Sequence, residues 1–355
     1  MATDKARIVL IRKINWYARG VQILVCMACL LLLLAGCAPA LQQPGSKASD
    51  TELVWPDPPQ QARIRYLYSL HEPRDIGIRP GMFSRFMQIF AGQERQGMMR
   101  PYAVAADDEV ICVVDPGLGV VHLYMTKRSR YEIIRDASGE RLMSPVGISL
   151  GPEAIYIADS VAGKVFVFDR EGNHLQTVAG LTRPTGIAFH TESQLLYVAD
   201  TIENRIVVID SNGIQQNTFG KRGWAAGEFN YPTTLAIRGN SLFVNDTMNY
   251  RIQRFTLDGS PVTSFGENGD SSGQFALSKG IGMDAQGHVY VADALSNHIQ
   301  IFDENGRFLL SFGGMGAAAG QFRLPAGVFV DENIIFVADT ENRRVQVFEY
   351  VGDET

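Results

Sequence analysis

The feature that most constrains this chain is a repeat. Ile335–Phe348 reads IFVADTENRRVQVF: an apolar run, an Asp, a polar turn containing Arg, and a second apolar run. Relatives of it recur upstream as VYVADALSNHIQIF (289–302), LFVNDTMNYRIQRF (242–255), LYVADTIENRIVVI (196–209), IYIADSVAGKVFVF (155–168) and the worn ICVVDPGLGVVHLY (111–124). The equivalent aspartates, Asp115, Asp159, Asp200, Asp246, Asp293 and Asp339, stand 44, 41, 46, 47 and 46 residues apart. A period in the forties with strand-like content predicts all-β propeller blades of four short strands. An array of this kind is one domain however long it runs, so 355 residues do not imply two or three.

The strands can be read within one repeat. In the fifth, Gly280–Asp284, His288–Ala292, His298–Phe302 and Arg307–Phe312 follow in order, with Gly287, Gly306 and Gly313 at the turns. The second strands are apolar at nearly every position, as expected of strands sandwiched between neighbouring sheets. The last repeat stops after its third strand. Arg63–Leu70 (RIRYLYSL), upstream of the first repeat, has the aromatic and β-branched content of a strand and is expected to pair with Val345–Phe348 and close the ring. Between them, within 79–96, Phe83, Phe86, Met87 and Phe90 recur at helical spacing and predict a short helical insertion, packed on the ring or touching a membrane or partner.

Over about residues 97–350 the chain resembles the NHL-repeat family of six-bladed β-propellers. The resemblance rests on the pattern V-A-D-T-x-x-N-R-I/V-Q-V-F and on three connectors containing Gly227-Glu228-Phe229, Gly273-Gln274-Phe275 and Gly320-Gln321-Phe322. Blades 1 and 2 depart from it: Asp115 is followed by Pro-Gly-Leu-Gly with no Arg five places on, and the early connectors are shorter. A WD-repeat propeller of seven or eight blades is disfavoured, because none of Trp16, Trp55 and Trp224 forms a Trp-Asp dipeptide.

The amino terminus has the layout of an export signal. Basic residues run through Arg19, an apolar stretch spans Val21–Ala35, and Leu34-Ala35-Gly36-Cys37 follows. The stretch is short of the roughly 20 residues that a membrane-spanning helix needs. The ending resembles the bacterial lipobox, which implies that 1–36 are a discarded leader and that Cys37 is lipidated. Ala38 after the anchor favours, by the same resemblance, an exported lipoprotein of the outer membrane where the source is Gram-negative. Residues 37–60, rich in Pro, Gln, Ser and charge, read as a tether, with the propeller domain at 61–355. Formal net charge is −6; without the leader's five basic side chains and Asp4, 27 basic and 37 acidic groups remain. An acidic body argues against nucleic acid as a partner. Of four cysteines, two leave with the leader and one takes the lipid, so Cys112 has no intramolecular disulfide partner.

Functional residues of a propeller are expected around its axis. The repeated Asp with a basic residue five places on invites a metal crown, but a carboxylate that accepts N–H bonds from the following turn explains one copy per blade. By resemblance, six-bladed relatives include amidating lyases, streptogramin lyases and gluconolactonase-like hydrolases, whose ligands or bases converge on the channel. Here the six histidines fall at unlike repeat positions, and no phosphate loop or nucleophile motif is present. No metal or other cofactor is therefore expected, and a metal-dependent lyase or hydrolase is the alternative reading. The segments leading into the innermost strands carry Arg100, Tyr102, Arg183, Tyr231, Lys279 and Arg323, a candidate ligand-binding mouth for an anionic or carbohydrate ligand or an acidic protein surface. Trp224, in the connector Lys221–Asn230, is a candidate interface residue. The reading that results is a membrane-anchored, non-catalytic module that binds a protein or an envelope polymer.

Overall fold

A computed structural model of the chain describes residues 52–78 and 97–352. The expected leader 1–36, Cys37 and the helical segment 79–96 lie outside these residues. Six antiparallel sheets follow one another, each ordered from an innermost first strand to an outermost fourth. Blade 1 comprises Ala103–Ala106, Val110–Asp115, Val120–Met125 and Arg130–Ile134; blade 2, Pro145–Leu150, Ala154–Asp159, Lys164–Asp169 and His174–Val178. Blade 3 comprises Pro184–His190, Leu195–Asp200, Arg205–Ile209 and Gln215–Phe219; blade 4, Pro232–Arg238, Ser241–Asp246, Arg251–Thr256 and Pro261–Phe265. Blade 5 comprises Ser278–Met283, Val289–Asp293, His298–Phe302 and Phe308–Gly313; blade 6 has Pro325–Asp331, Ile334–Asp339 and Arg344–Tyr350 as its first three strands. A two-stranded ribbon, Asp136–Ala137 with Glu140–Arg141, links blades 1 and 2 and was not anticipated.

Blade 6 is completed from the other end of the chain. Ile64–Leu70 pairs antiparallel with Arg344–Tyr350, from Ile64 opposite Tyr350 to Leu70 opposite Val345. A ring of sheets has no free edge only if its last blade is finished. Val54–Trp55 adds a fifth strand against Arg65 and Ile64. The sequence reading ended the tether at residue 60; in the structure, residues 52–60 run along this blade. The indole of Trp55 supplies the reason, packing 5.8 Å from the rings of both Phe312 and Phe348.

The second strands are buried throughout in blades 1 and 5, as their unbroken apolar runs predict. Cys112 lies in one of them; burial raises its thiol pKa, so it packs as a small hydrophobe. Where first strands of adjacent blades meet near the axis, glycine is required. A Cβ on Gly147 would stand 1.8 Å from the Thr185 carbonyl oxygen, and one on Gly280 2.2 Å from that of Ala326. Phe229, Phe275 and Phe322, one per repeated connector, are fully buried. Each contributes roughly 1.5–3 kcal/mol of hydrophobic stabilisation.

Candidate binding face

The repeated aspartates build the face on which the site stands. All six side chains are fully buried. The sequence reading had them accept N–H groups from the turn that follows. Blades 1, 2 and 5 do this, as where Ala162 N–H donates to Asp159 at 3.0 Å. In every blade, however, the Asp also takes peptide N–H groups about 16 residues upstream, in the segment leading into the first strand. Met99 and Arg100 donate to Asp115 at 2.6 and 3.0 Å, Arg183 to Asp200 at 2.8 Å, and Asn230 to Asp246 at 2.6 Å. Met143, Ala276 and Arg323 donate likewise to Asp159, Asp293 and Asp339. The Asp therefore ties the end of the second strand to the start of the first. In blades 3, 4 and 6 the Arg five places on adds an ion pair: Arg205 with Asp200, Arg251 with Asp246, and Arg344 with Asp339.

These environments shift the carboxyls in different directions. Asp115 is buried, which works to raise its pKa. The His122 ring, with Nε2 3.5 Å from Oδ2, and hydrogen bonds from the Met99 and Arg100 N–H groups outweigh this and bring it below the ordinary value. At Asp246 burial prevails over its donors, and the pKa is raised.

Two further devices fix the lead-ins, and sequence reasoning passed over both. Gln253, Gln300 and Gln346 each accept a connector Gly N–H through Oε1, at 3.0, 2.8 and 2.9 Å, and donate through Nε2 to the next carbonyl. The Gln in the repeated I-Q or V-Q of the third strand was the available signal. Asn204 and Asn297 accept the N–H groups of Tyr231 and Leu324 of the following blade, at 2.9 and 3.0 Å. Both donors, Tyr231 and Leu324, stand in the left-handed region, with φ of 56° and 51°.

The turns between second and third strands, the lead-ins and the connectors thus open on one face of the disc, here called upper. Around the axis on that face, the Lys279 ammonium lies 5.7 Å from the centre of the Tyr102 ring. Burial lowers the Lys279 pKa, the Arg100 charge adds to this, and Glu341 opposes it. Burial raises the Tyr102 pKa, with the Arg183 charge opposing. Arg100 pairs with Glu341 at 3.1 Å, both well exposed. The structure therefore brings Arg100, Tyr102, Arg183 and Lys279 together. Exposed Arg323 adjoins them through its carbonyl, which accepts from Glu341 N–H. Tyr231 and Trp224 lie farther along the same face, Trp224 71% exposed.

None of these residues lines the channel. The cavity on the axis, of about 300 Å³, is walled by first-strand residues such as Val104, Ile148, Ile187, Leu235, Ile281 and the axial glycines. Its charged lining is Arg238 and Asp331, at the ends of their strands on the opposite, lower face. Burial raises the Asp331 pKa, and the nearby carboxylates of Glu332, Asp107 and Asp108 add to this. Among the described residues, no three His, Cys, Asp or Glu side chains are grouped to hold a metal ion.

Comparison with known proteins agrees with this architecture. The NHL repeat family matches residues 322–348, the end of the last connector and most of blade 6. No curated protein sequence matches the chain. Among solved structures, it is similar to a protein of unknown function from Bacteroides thetaiotaomicron (TM-score 0.58, 12% identity, 72% of this chain and 70% of that one). It is also similar to an auxiliary nutrient binding protein from the same organism (0.57, 15%, 72% and 70%). A third is the virginiamycin B lyase of Staphylococcus aureus (0.53, 14%, 71% and 95%). At such identities the likeness is one of fold. The chain is a six-bladed β-propeller whose last blade carries an NHL repeat.

Proposed function

We propose that this chain is a lipid-anchored binding module of the cell envelope. Cys37 carries the lipid, residues 38–51 form the tether, and the propeller holds a protein or an envelope polymer near the membrane without transforming it. By the residue after Cys37, the membrane is the outer one where the source has two.

The observation that supports this reading best is the contrast between channel and faces. Apart from Ser149, Thr234 and, at the lower end, Arg238 and Asp331, the channel is walled by hydrocarbon and glycine. A lyase or hydrolase needs an acid, a base or metal ligands converging on one point. The exposed aromatic, basic and apolar groups are instead spread over a broad face, held rigid by the six aspartates.

The test is in-cell photo-crosslinking from both faces, with the reactive group at Trp224 (upper) or Glu192 (lower), followed by pull-down of the full chain. A discrete partner captured from one face is expected. No discrete partner from either face would overturn the proposal. A stoichiometric Zn or Ca that stays with the purified protein through chelation would favour the metal-dependent lyase or hydrolase.

A further inference from the structure

The two faces of the disc differ in character. On the upper face the turns that follow the repeated Asp each expose an apolar side chain in five of six blades: Leu118, Val161, Ile202, Met248 and Leu295, with Val161 66% exposed. Met99 and Met143 on the lead-ins and Trp224 and Met315 on the connectors add to them. The lower face differs: beside its turns between third and fourth strands Leu175, Ile214 and Val262 are exposed, and the cations of those turns, Lys127, Arg128, Arg170 and Arg307, are each paired with a carboxylate. Its turns between first and second strands (107–109, 151–153, 191–194, 239–240, 284–288, 332–333) contain no exposed large hydrophobic residue, no Lys and no Arg. They carry seven acidic residues, among them Asp107, Asp108, Glu192 and Glu332.

We infer that the upper face lies flat on an anionic lipid surface, with the apolar turn tips in the headgroup layer and the cations around Tyr102 against headgroup phosphates. The inference rests on the anchored reading above. Three observations carry it. First, residues at one repeat position stand at one height around a ring, so Val161, Ile202, Met248 and Leu295 define a plane, and a lipid surface is planar. Single apolar tips backed by cations suit an interface where apolar burial and attraction to anionic lipid add. Second, Arg183, Lys279 and Arg323 have no carboxylate partner among the described residues, whereas the lower face carries the acidic excess. The charge asymmetry thus turns the upper face towards a negative surface. Third, the fifth strand of blade 6 runs from Val54 to Trp55 towards the lower face, because it is antiparallel to Ile64–Leu70, which rises to the upper one. Leu53, whose carbonyl accepts from the Tyr66 N–H, therefore lies on the upper side of Trp55. The 14 residues between Cys37 and Glu52 span at most about 50 Å when extended, a reach that allows a lipid on Cys37 and the upper face to meet one surface. A partner is then held at the lower face.

Trp224 is the probe. The full lipidated chain, whose tryptophans are Trp55 and Trp224, is reconstituted in phosphatidylethanolamine and phosphatidylglycerol vesicles with brominated acyl chains, and a Trp224→Phe sample is subtracted. The Trp224 emission is expected to shift to shorter wavelength, to be quenched by bromine and to be shielded from aqueous iodide. Adding Val161→Asp and Leu295→Asp, both at exposed turn tips, is expected to abolish the bromine quenching. Weaker quenching is expected in phosphatidylcholine alone; equal quenching would overturn the part assigned to the cations. Trp224 open to iodide and untouched by bromine would overturn the inference. So would shielding from iodide without bromine quenching, which would mean that a protein or a second copy covers the face. Crosslinking of a partner from Trp224 would likewise overturn it while leaving the binding function standing. Bromine quenching with no partner captured from either face would do the reverse.

Discussion

Replacing Asp339 by Ala tests how the blades are held. Its carboxylate accepts from the Arg323 N–H at 2.8 Å, Asn342 Nδ2 at 2.9 Å, Arg344 Nε at 2.8 Å and Gln346 Nε2 at 3.0 Å. The Arg344 side chain is only 7% exposed. Alanine leaves its guanidinium buried with the neutral carbonyls of Ala318 and Gln321 as acceptors. Removing one member of a buried ion pair costs about 3–5 kcal/mol, most of it the stranded charge. At about 2 °C per kcal/mol for a domain of this size, the melting temperature should fall by about 6–10 °C. The decisive assay is a double-mutant cycle with Arg344→Met, read by urea unfolding midpoints. With the cation gone, the cost of Asp339→Ala should drop by at least about 1 kcal/mol. An Asp339→Ala cost below about 1 kcal/mol, or strict additivity, would refute the reasoning.

Other perturbations probe the ring and its charges. Gly280→Ala drives a Cβ into the backbone of the next blade and should destabilise by at least about 1–3 kcal/mol; Gly180→Ala, with open space but φ of 91°, should cost only about 1 kcal/mol. Calorimetry of the two ranks them, and equal melting temperatures would contradict the axial contact. A chain starting at residue 79 leaves the third strand of blade 6 with a free edge, so it should aggregate or lose its single cooperative transition, and a peptide spanning 61–72 added in trans should restore it. The pH dependence has two signs. In the folded protein the pKa of Asp284 lies below its ordinary value, since hydrogen bonds from His288 outweigh burial. Its stabilisation is present above the unfolded pKa of about 3.9 and is lost as pH falls through the folded value. Asp284→Asn should therefore flatten the acid limb of the stability profile. Asp331 has a raised pKa, so its charge destabilises the fold at neutral pH, and Asp331→Asn should raise the urea midpoint at pH 7.

The blades were legible because each second strand is an unbroken apolar run, and a run of that kind has few places to hide from water other than between two sheets. Ring closure was legible for a related reason: blade 6 lacked a strand, and Ile64–Leu70 had the composition to supply it. The working partners of the six aspartates were less visible. A turn two or three residues downstream can be read from local sequence, whereas the Met99 or Arg323 N–H becomes a neighbour only once the sheet has formed. The fifth strand was masked by its setting, because the prolines around Val54–Trp55 resemble a linker while the indole finds two phenyl rings distant in sequence. Sequence reasoning gathered the cations of the mouth from their common repeat position; Lys279 lies over the Tyr102 ring, and the charges of Arg100 and Arg183 act on that pair. It did not separate them from the channel, whose apolar lining follows from the glycine-bounded register of the first strands. The apolar turn tips went unnoticed because each, taken singly, is an ordinary exposed residue.

Everything said of function depends on the chain being held at a membrane through Cys37. The direct measurement is metabolic labelling with a clickable fatty-acid analogue in cells expressing the wild-type chain or Cys37→Ser, followed by membrane fractionation. The account predicts label on the wild type, which stays with membranes through a high-salt wash, and no label on the variant. Label that persists on Cys37→Ser, or a wild-type chain without any, would contradict it.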